Sequence, residues 1–440
     1  MILRTLGYYD DFVCIGGACK NSCCIGWELD IDEATCDYYR SLPGPFGDRL
    51  RAHMAAGSFR DEDCHTFCLT VDGRCPLLNK DGLCDIVLTL GPEALCEICS
   101  EYPRYTFELG DAVEKSLTIS CEEAARLMFT RTRPLIISES PLDPDEDSGE
   151  AYASEAADDE SYEYDDEEEN DDISAEITLL RERLIVILQD RTSPLRARVI
   201  RAVRLTEKAQ ALINGAELSE TPLMDSLTEL IQKEEAEHVS AGASEFSDPG
   251  RTDSGAMVDC GSDPNLGRTD SGAMADQSSD SDLARTNPLT PAEGLSARLA
   301  LLEGCEVLSG EWTDAVDRMR AAFSTEEPDW EAFMGQLYYP RQVDYEHLLV
   351  YFLFRYMPRA AYDFDAAGKL AFAVFATLVI RDLDWAIFLE NGGHFSITDR
   401  IRTAGIVSRE IEHSDYNLDT LFEDIAFDEN FHADGLIRQL

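Results

Sequence analysis

The 440-residue chain has no basic excess: 87 Asp and Glu stand against 37 Lys and Arg, for a formal net charge of −50. Neutralising phosphates requires a cationic footprint, so nucleic acid is excluded as a partner class. A long apolar run is also missing. The longest largely apolar stretch, Leu370 to Ile380, covers eleven residues, which suits a buried helix and is too short to cross a bilayer. Residues Met1 to Phe12 hold no apolar signal core or small-residue cleavage site, so a cytoplasmic location without membrane insertion is expected. No G-x-G-x-x-G, phosphate-binding loop, G-x-S-x-G or H-E-x-x-H occurs, which removes the usual signatures of dinucleotide, nucleotide, serine-hydrolase and zinc-protease sites.

Cysteine, by contrast, is plentiful and clustered. Twelve of the fourteen lie in residues 1–133, and four of them fall in Cys14 to Trp27, C-I-G-G-A-C-K-N-S-C-C-I-G-W. A chain of this length needs no cross-links to supplement its core, and cytosolic thiols stay reduced, so metal chelation is the chemistry to expect. Eleven or twelve thiols exceed the four that one structural zinc takes. The spacing C-x4-C-x3-C-C also lacks the paired C-x2-C knuckles of zinc ribbons. Iron–sulfur ligation tolerates such irregular loops; zinc, or redox-active and buried thiols, remain alternatives. Adjacent side chains diverge, so Cys23 and Cys24 suit two different centres as well as one. Cys260 reads as a free exposed thiol and Cys305 as a core residue.

The expected fold is mainly α, with a loop-rich cysteine-cluster N-terminal domain (1–133) packed on a helical bundle and two disordered acidic insertions. The first insertion is an acidic linker (134–172). The second (216–295) is low-complexity, carries G-R-T-D-S-G-A-M twice, and opens with a possible helix, Leu223 to His238. Together the segments Pro134–Leu180 and Ala216–Leu295 carry 32 of the 50 net negative charges, leaving an ordinary acidic protein. Helical periodicity marks 173–215, with a break at Pro194, and a C-terminal domain, 296–440. Asp32 is the expected cap of a helix through Tyr39, Gly91–Pro92 should open a helix carrying Cys96 and Cys99, and Ser120 with Glu123 reads as a capping box placing Cys121 in a first helical turn, where the helix end would stabilise its thiolate. Ser396 with Asp399, and Asn417, mark further helix starts. His413 reads as a helix-end residue, and Glu410 and Glu412 as a solvated or helix-pairing face.

Five stretches carry a family resemblance: F-V-C-I-G-G-A-C-K-N-S-C-C-I-G-W; the segment from G-R-C-P-L-L-N through L-C-E-I-C-S-E-Y-P-R; S-L-T-I-S-C-E-E-A; and, in the body, L-L-V-Y-F-L-F-R-Y and S-R-E-I-E-H-S. They closely resemble the flagellin lysine-N-methylase family, within a wider group of cysteine-cluster proteins described as zinc- or iron-chelating. The resemblance covers 1–133, 173–215 and 296–440. It implies a lysine methyltransferase using S-adenosylmethionine, with flagellin or another secreted surface protein as substrate and one or two iron–sulfur clusters, of 4Fe–4S type, or alternatively zinc. Its cysteines fall on Cys14, Cys19, Cys23, Cys24, Cys75, Cys84, Cys99 and Cys121; Cys36, Cys64, Cys68 and Cys96 are extra. Arg104 of Y-P-R is either a cluster or substrate contact or a loop-fixing arginine. The C-x3-C-x2-C triad of radical S-adenosylmethionine enzymes is absent, and the resemblance names no catalytic base. The competing readings are a non-enzymatic chelating or redox-sensing protein and, third, an adaptor whose acidic segments engage a basic partner.

Overall fold

The structure, a computed structural model, describes residues 1–26, 30–58, 61–67, 69–142, 173–245, 287–324 and 330–440. The N-terminal part runs β1 (Ile2–Leu6), β2 (Asp30–Ile31), α1 (Glu33–Ser41), α2 (Gly44–His53), β3 (Met54–Ser58), β4 (Asp61–Phe67), α3 (Asp85–Leu90), α4 (Glu97–Glu101), β5 (Arg104–Leu109), β6 (Ala112–Leu117), α5 (Glu122–Phe129) and β7 (Ile137–Pro141). The body follows as α6 (Ser174–Leu188), α7 (Leu195–Asn214), α8 (Leu223–Glu245), α9 (Pro291–Leu302), α10 (Gly310–Phe323), α11 (Trp330–Phe333), α12 (Gln342–Tyr356), α13 (Ala360–Asp363), α14 (Ala366–Glu390), α15 (Ile397–Glu412), α16 (Asp415–Phe427) and α17 (Ala433–Gln439). The chain is mainly helical, as expected, but it also contains sheet that helical periodicity does not reveal.

The main sheet has the order β5-β6-β1-β7, and β2-β4-β3 form a smaller one. Leu-Gly-Asp-Ala makes the β5–β6 hairpin: Gly110 sits at φ 55°, which suits glycine, and Leu109 pairs with Ala112. Strand β6 is central, parallel to β1, and buried along nearly its whole length. A carboxylate there needs a partner, and Glu114 meets the fully buried Arg181 of α6, whose Nη1 also donates to Phe354 O at 3.1 Å. Strand β7 corrects the linker boundary. Ile137–Pro141 pair antiparallel with β1, with Arg4 and Glu139 joined at 2.8 Å. Residues 143–172, and the tandem repeat within 246–286, lie outside the described residues.

In the body, α14 is apolar around its circumference and therefore central. It packs against α7, α10, α12, α15 and α16. Trp385, fully buried, gathers Phe323, Trp330, Phe333 and Phe388 around it. The break between α6 and α7 falls before Pro194, Asp32 caps α1 by accepting from Thr35 N at 2.8 Å, and Ser396 with Asp399 forms a capping box on α15. Other boundaries move. Helix α9 starts at Pro291 under a Thr290–Glu293 capping box, earlier than position 296. Helix α8 reaches Glu245. Ser414, not Asn417, caps α16 and accepts from the Asn417 amide at 3.2 Å. Asn417 is instead buried, donating through Nδ2 to Glu306 O and Glu410 O. No helix among the described residues is long and apolar enough to cross a membrane.

Two apolar cores result. The larger joins the main sheet to the helical body, and Cys121 packs against it. The smaller belongs to the cysteine-rich head alone: Ile31, Cys36, Tyr39, Leu50, Phe67 and Leu77 are among its fully buried members, and Cys24, Cys84 and Cys99 pack on its edge.

Candidate metal centre

The thiol loop of residues 14–26 is closed by backbone and carboxylate contacts from both later arms of the head. On one side the Cys75 amide donates to Cys24 O at 2.8 Å, Gly26 N to Gly73 O at 2.8 Å, and Ile25 bridges Arg74. On the other, Glu122 at the start of α5 accepts through Oε2 from Lys20 N at 2.6 Å and Asn21 N at 3.0 Å, while Cys19 Sγ lies 3.6 Å from the same oxygen. Asn21 Nδ2 donates to Ser120 O at 3.3 Å, and its Oδ1 accepts from Arg409 of α15. A Cβ on Gly405 would stand 3.3 Å from Asn21 Nδ2 and 3.7 Å from the Ile119 and Ser120 carbonyls, so this glycine in mid-helix lets the loop lie close against α15.

All eleven cysteines whose side chains are described are free thiols. Electrostatic contact places Cys19, Cys23 and Cys121 together at the seam between head and body and Cys24, Cys75, Cys84 and Cys99 together in the head, with Cys23 and Cys24 joining the two sets. The Cys23 thiol donates to the Cys24 sulfur, which raises Cys23 and brings Cys24 down to about 7. The Cys96–Cys99 pair behaves alike: their hydrogen bond lowers Cys96 and raises Cys99. Burial pushes Cys19 up to about 12, with the Glu122 carboxylate and Cys121 adding to it, and pushes Cys75 up to about 11. Cys121 departs from expectation. It is itself the cap residue of α5, and although the Glu123 and Ala124 amides favour its thiolate, burial outweighs them and raises it. The Ser120–Glu123 box does not form, because Ser120 Oγ is engaged elsewhere and Glu123 takes Arg126.

Among the described residues, no three His, Cys, Asp or Glu side chains stand close enough together to hold a metal ion as they are placed. In the chemistry of its donors, though, the set fits a thiophilic group: soft sulfur ligands, not cross-linked as disulfides, gathered where their thiolates would repel one another and a cationic centre would relieve the repulsion. Cys36 is different. It is fully buried, and its Sγ donates to Ile31 O at 3.4 Å. Cys96 is buried at the head of α4, which is preceded by a separate 3-10 turn at Pro92–Ala94 in place of one continuous helix. Cys64 lies in β4, and Cys68 and Cys260 lie outside the described residues. Cys305 is half-buried and packs on the large core. Arg104 rests over the Phe12 ring at 5.4 Å, the loop-fixing role.

A buried polar seam connects the thiol segment to the body. Tyr102 Oη lies 3.1 Å from Ser120 Oγ, which lies 2.8 Å from His413 Nε2 and 3.0 Å from Thr118 Oγ1; Thr118 in turn reaches Ser408 Oγ at 3.3 Å. Ser408 donates to Glu412. Glu412 also accepts from Tyr351 at 2.8 Å and Tyr356 at 2.7 Å and faces Arg355 Nε at 3.0 Å. Both Glu410 and Glu412 are thus buried, not solvated. His413 ends α15 as expected and edges onto the Tyr102 ring; burial lowers it to about 3. Sequence reading missed Glu122, Asn21, Arg409 and this carboxylate. The available signal was the i, i+4 spacing of Ser408 with Glu412 and of Tyr351 with Arg355, which places each pair on one helix face. Two pockets of about 40 and 80 Å³ lie on the body, away from the thiols, and are far below the roughly 300–1,000 Å³ of small-molecule sites.

Comparison with known proteins points in one direction. A family model described as the FliB lysine N-methylase C-terminal domain matches residues 296–438. Two proteins named Lysine-N-methylase, from Salmonella typhimurium and Salmonella choleraesuis, are each 28% identical over 135 residues, which is 30% of this chain and 33% of theirs. A protein named Flagellar biosynthetic protein FliU, from Salmonella muenchen, is 31% identical over 115 residues, 26% of this chain and 68% of its own. The match therefore spans about a third of the length of the two lysine-N-methylases. No solved structure matches.

Proposed function

The chain belongs to the flagellin lysine-N-methylase family, and from that premise we propose that it is a protein-lysine N-methyltransferase that methylates flagellin or another secreted surface protein, with S-adenosylmethionine as methyl donor and iron–sulfur as cofactor. One observation carries the reading. Three segments, T-I-S-C-E-E near Cys121 and, more than two hundred residues later, Y-F-L-F-R-Y near Tyr351 and S-R-E-I-E-H-S near Glu412, meet in a single buried seam beside Cys121. A chelating module with no further task would not need its thiol segment built into the middle of a helical body.

The chemistry asked of the chain is limited. The lysine ammonium loses a proton to a base. Its nitrogen lone pair then attacks the sulfonium methyl carbon, the carbon–sulfur bond breaks, and the sulfur keeps the electron pair. Alignment of the two groups and exclusion of water supply most of the acceleration. Cys14, Cys19, Cys23 and Cys121 at the seam, with Cys24, Cys75, Cys84 and Cys99 in the head, are the residues that would hold iron–sulfur. When bound, that group supplies positive charge, redox capacity and a rigid joint between head and body. The Glu412 seam then fixes the thiol segment against α12 and α15.

The test is anaerobic purification with iron, sulfide and zinc quantified, followed by incubation with methyl-labelled S-adenosylmethionine and flagellin. Iron with sulfide, and label recovered on lysine, is the expected result. Stoichiometric zinc without sulfide overturns the cluster, and absence of label on lysine overturns methyl transfer.

A further inference from the structure

The head has two means of closing its thiol loop, and one of them uses no sulfur. We propose that Glu122 is a positioning residue: its carboxylate, by accepting the Lys20 and Asn21 amides, clasps the N-terminal thiol loop onto the start of α5 and so presets Cys19 beside Cys121 before any metal binds. The inference deepens the assignment of a metal centre to these thiols and rests on it for its purpose, though not for its geometry.

Two amide protons at 2.6 and 3.0 Å converge on one oxygen, Oε2. Charge-assisted hydrogen bonds of this kind are about twice as strong as neutral ones. The clasp has a second point of attachment that comes from the body. Arg409 of α15 donates to the Asn21 side chain, while Asn21 Nδ2 donates back to the carbonyl of Ser120. Residue 21 is thus held by α5 through its main chain and by α15 and Ser120 through its side chain. In the second thiol group Cys75 and Cys24 are joined through main-chain bonds and the small apolar core, while Asp32 accepts from the Glu97 amide at 3.0 Å and Asn79 Oδ1 from the Leu83 amide at 3.1 Å. A carboxylate is an awkward neighbour for thiols that must ionise, since its charge opposes theirs. Its retention beside Cys19 is accounted for by the two amides it holds. The order of events follows: the seam thiols are gathered by folding and the metal is taken up afterwards, so the metal-free chain should already protect this loop.

The experiment uses the full chain, reduced and metal-free, with residue-resolved alkylation by iodoacetamide read by mass spectrometry. Glu122→Ala should raise the alkylation rates of Cys19 and Cys23 by on the order of tenfold, equivalent to ~1.4 kcal/mol of local opening, and leave Cys75, Cys84 and Cys99 unchanged. Glu122→Gln removes the charge but keeps a carbonyl acceptor, so Cys23 should stay close to wild type, while Cys19, which loses the adjacent carboxylate, is read only for its excess over Glu122→Gln in the Glu122→Ala variant. If Glu122→Gln accelerates alkylation of Cys23 as much as Glu122→Ala, the effect is not the loss of the acceptor and the clasp is wrong. Equal acceleration at all cysteines, or none at any, also overturns it. Reconstituting the same proteins with iron and sulfide separates the two ideas: a wild-type chain that protects its loop but takes up no iron overturns the metal centre and leaves the clasp standing.

Discussion

Removing the negative charge of Glu412 should destabilise the protein more than any other conservative change at the seam. The carboxylate has 0% side-chain exposure and the Arg355 side chain 6%, with the two 3.0 Å apart. Breaking a buried pair by deleting one partner costs about 3–5 kcal/mol, because the remaining charge is stranded. Here Arg355 is not stranded completely. Its guanidinium lies 4.1 Å from the Tyr105 ring centroid, and it reaches Ser116 Oγ at 3.3 Å and Tyr356 Oη at 3.1 Å. A desolvated cation–π contact retains about 2 kcal/mol, which places Glu412→Gln at the lower limit, about 3 kcal/mol. Urea unfolding followed by tryptophan fluorescence gives the loss as a shift of midpoint. The partner test is Glu412→Leu with Arg355→Met. If the cost is a stranded charge, the double variant recovers most of the loss of Glu412→Leu alone. Glu412→Gln within 1 kcal/mol of wild type, or strictly additive single and double losses, would refute the reasoning.

Glu410, raised to about 7 by burial and then by the neighbouring Glu306 carboxylate, should make stability depend on pH. Its folded value lies above the unfolded one, so its contribution is full below about 4.5 and is lost as pH rises through 7; Glu410→Gln should flatten the fall between pH 5 and pH 8, and parallel profiles in thermal melts would contradict this. Cys36→Ala should leave iron content unchanged, at a cost of about 1 kcal/mol for a small buried side chain, whereas Cys24→Ala or Cys99→Ala should lower iron content on elemental analysis. Trp385→Ala, at the centre of the aromatic group on α14, should cost about 3–5 kcal/mol, read as loss of urea midpoint; a loss under 1 kcal/mol would mean that the body repacks freely.

The helical body was legible because its signals are local. Asp32, Ser396 with Asp399, and the break at Pro194 are each read from a few neighbouring residues. The sheet was not, apart from the unnoticed L-G-D-A turn, since β1 pairs with strands more than a hundred residues away and its alternation is short. Strand β7 was hidden by charge: Glu139 and Ser140 read as linker, yet an edge strand needs only one protected side, and Arg4 supplies it. The candidate site divides in the same way. Thiols announce themselves by composition. Glu122, Asn21, Arg409 and Glu412 do not, because an exposed-looking charge becomes a buried one only when a distant helix packs over it.

That difference bears on how head and body work together. Cys23 and Cys24 are consecutive and hydrogen-bonded to each other; Cys23 also faces Cys121 and Cys14 at the seam, while Cys24 faces Cys75 and Cys84 in the head, and both bear on Cys99. A single peptide unit therefore separates Cys24, which packs on the small head core, from Cys23, which neighbours Cys121 on the large one. The Cys23–Cys24 pair thus lies between the head thiols and the segment of Cys121 and Ser120, from which the hydroxyl chain runs to Glu412. The four-cysteine loop is thus better understood as a link between two cores than as a self-contained site.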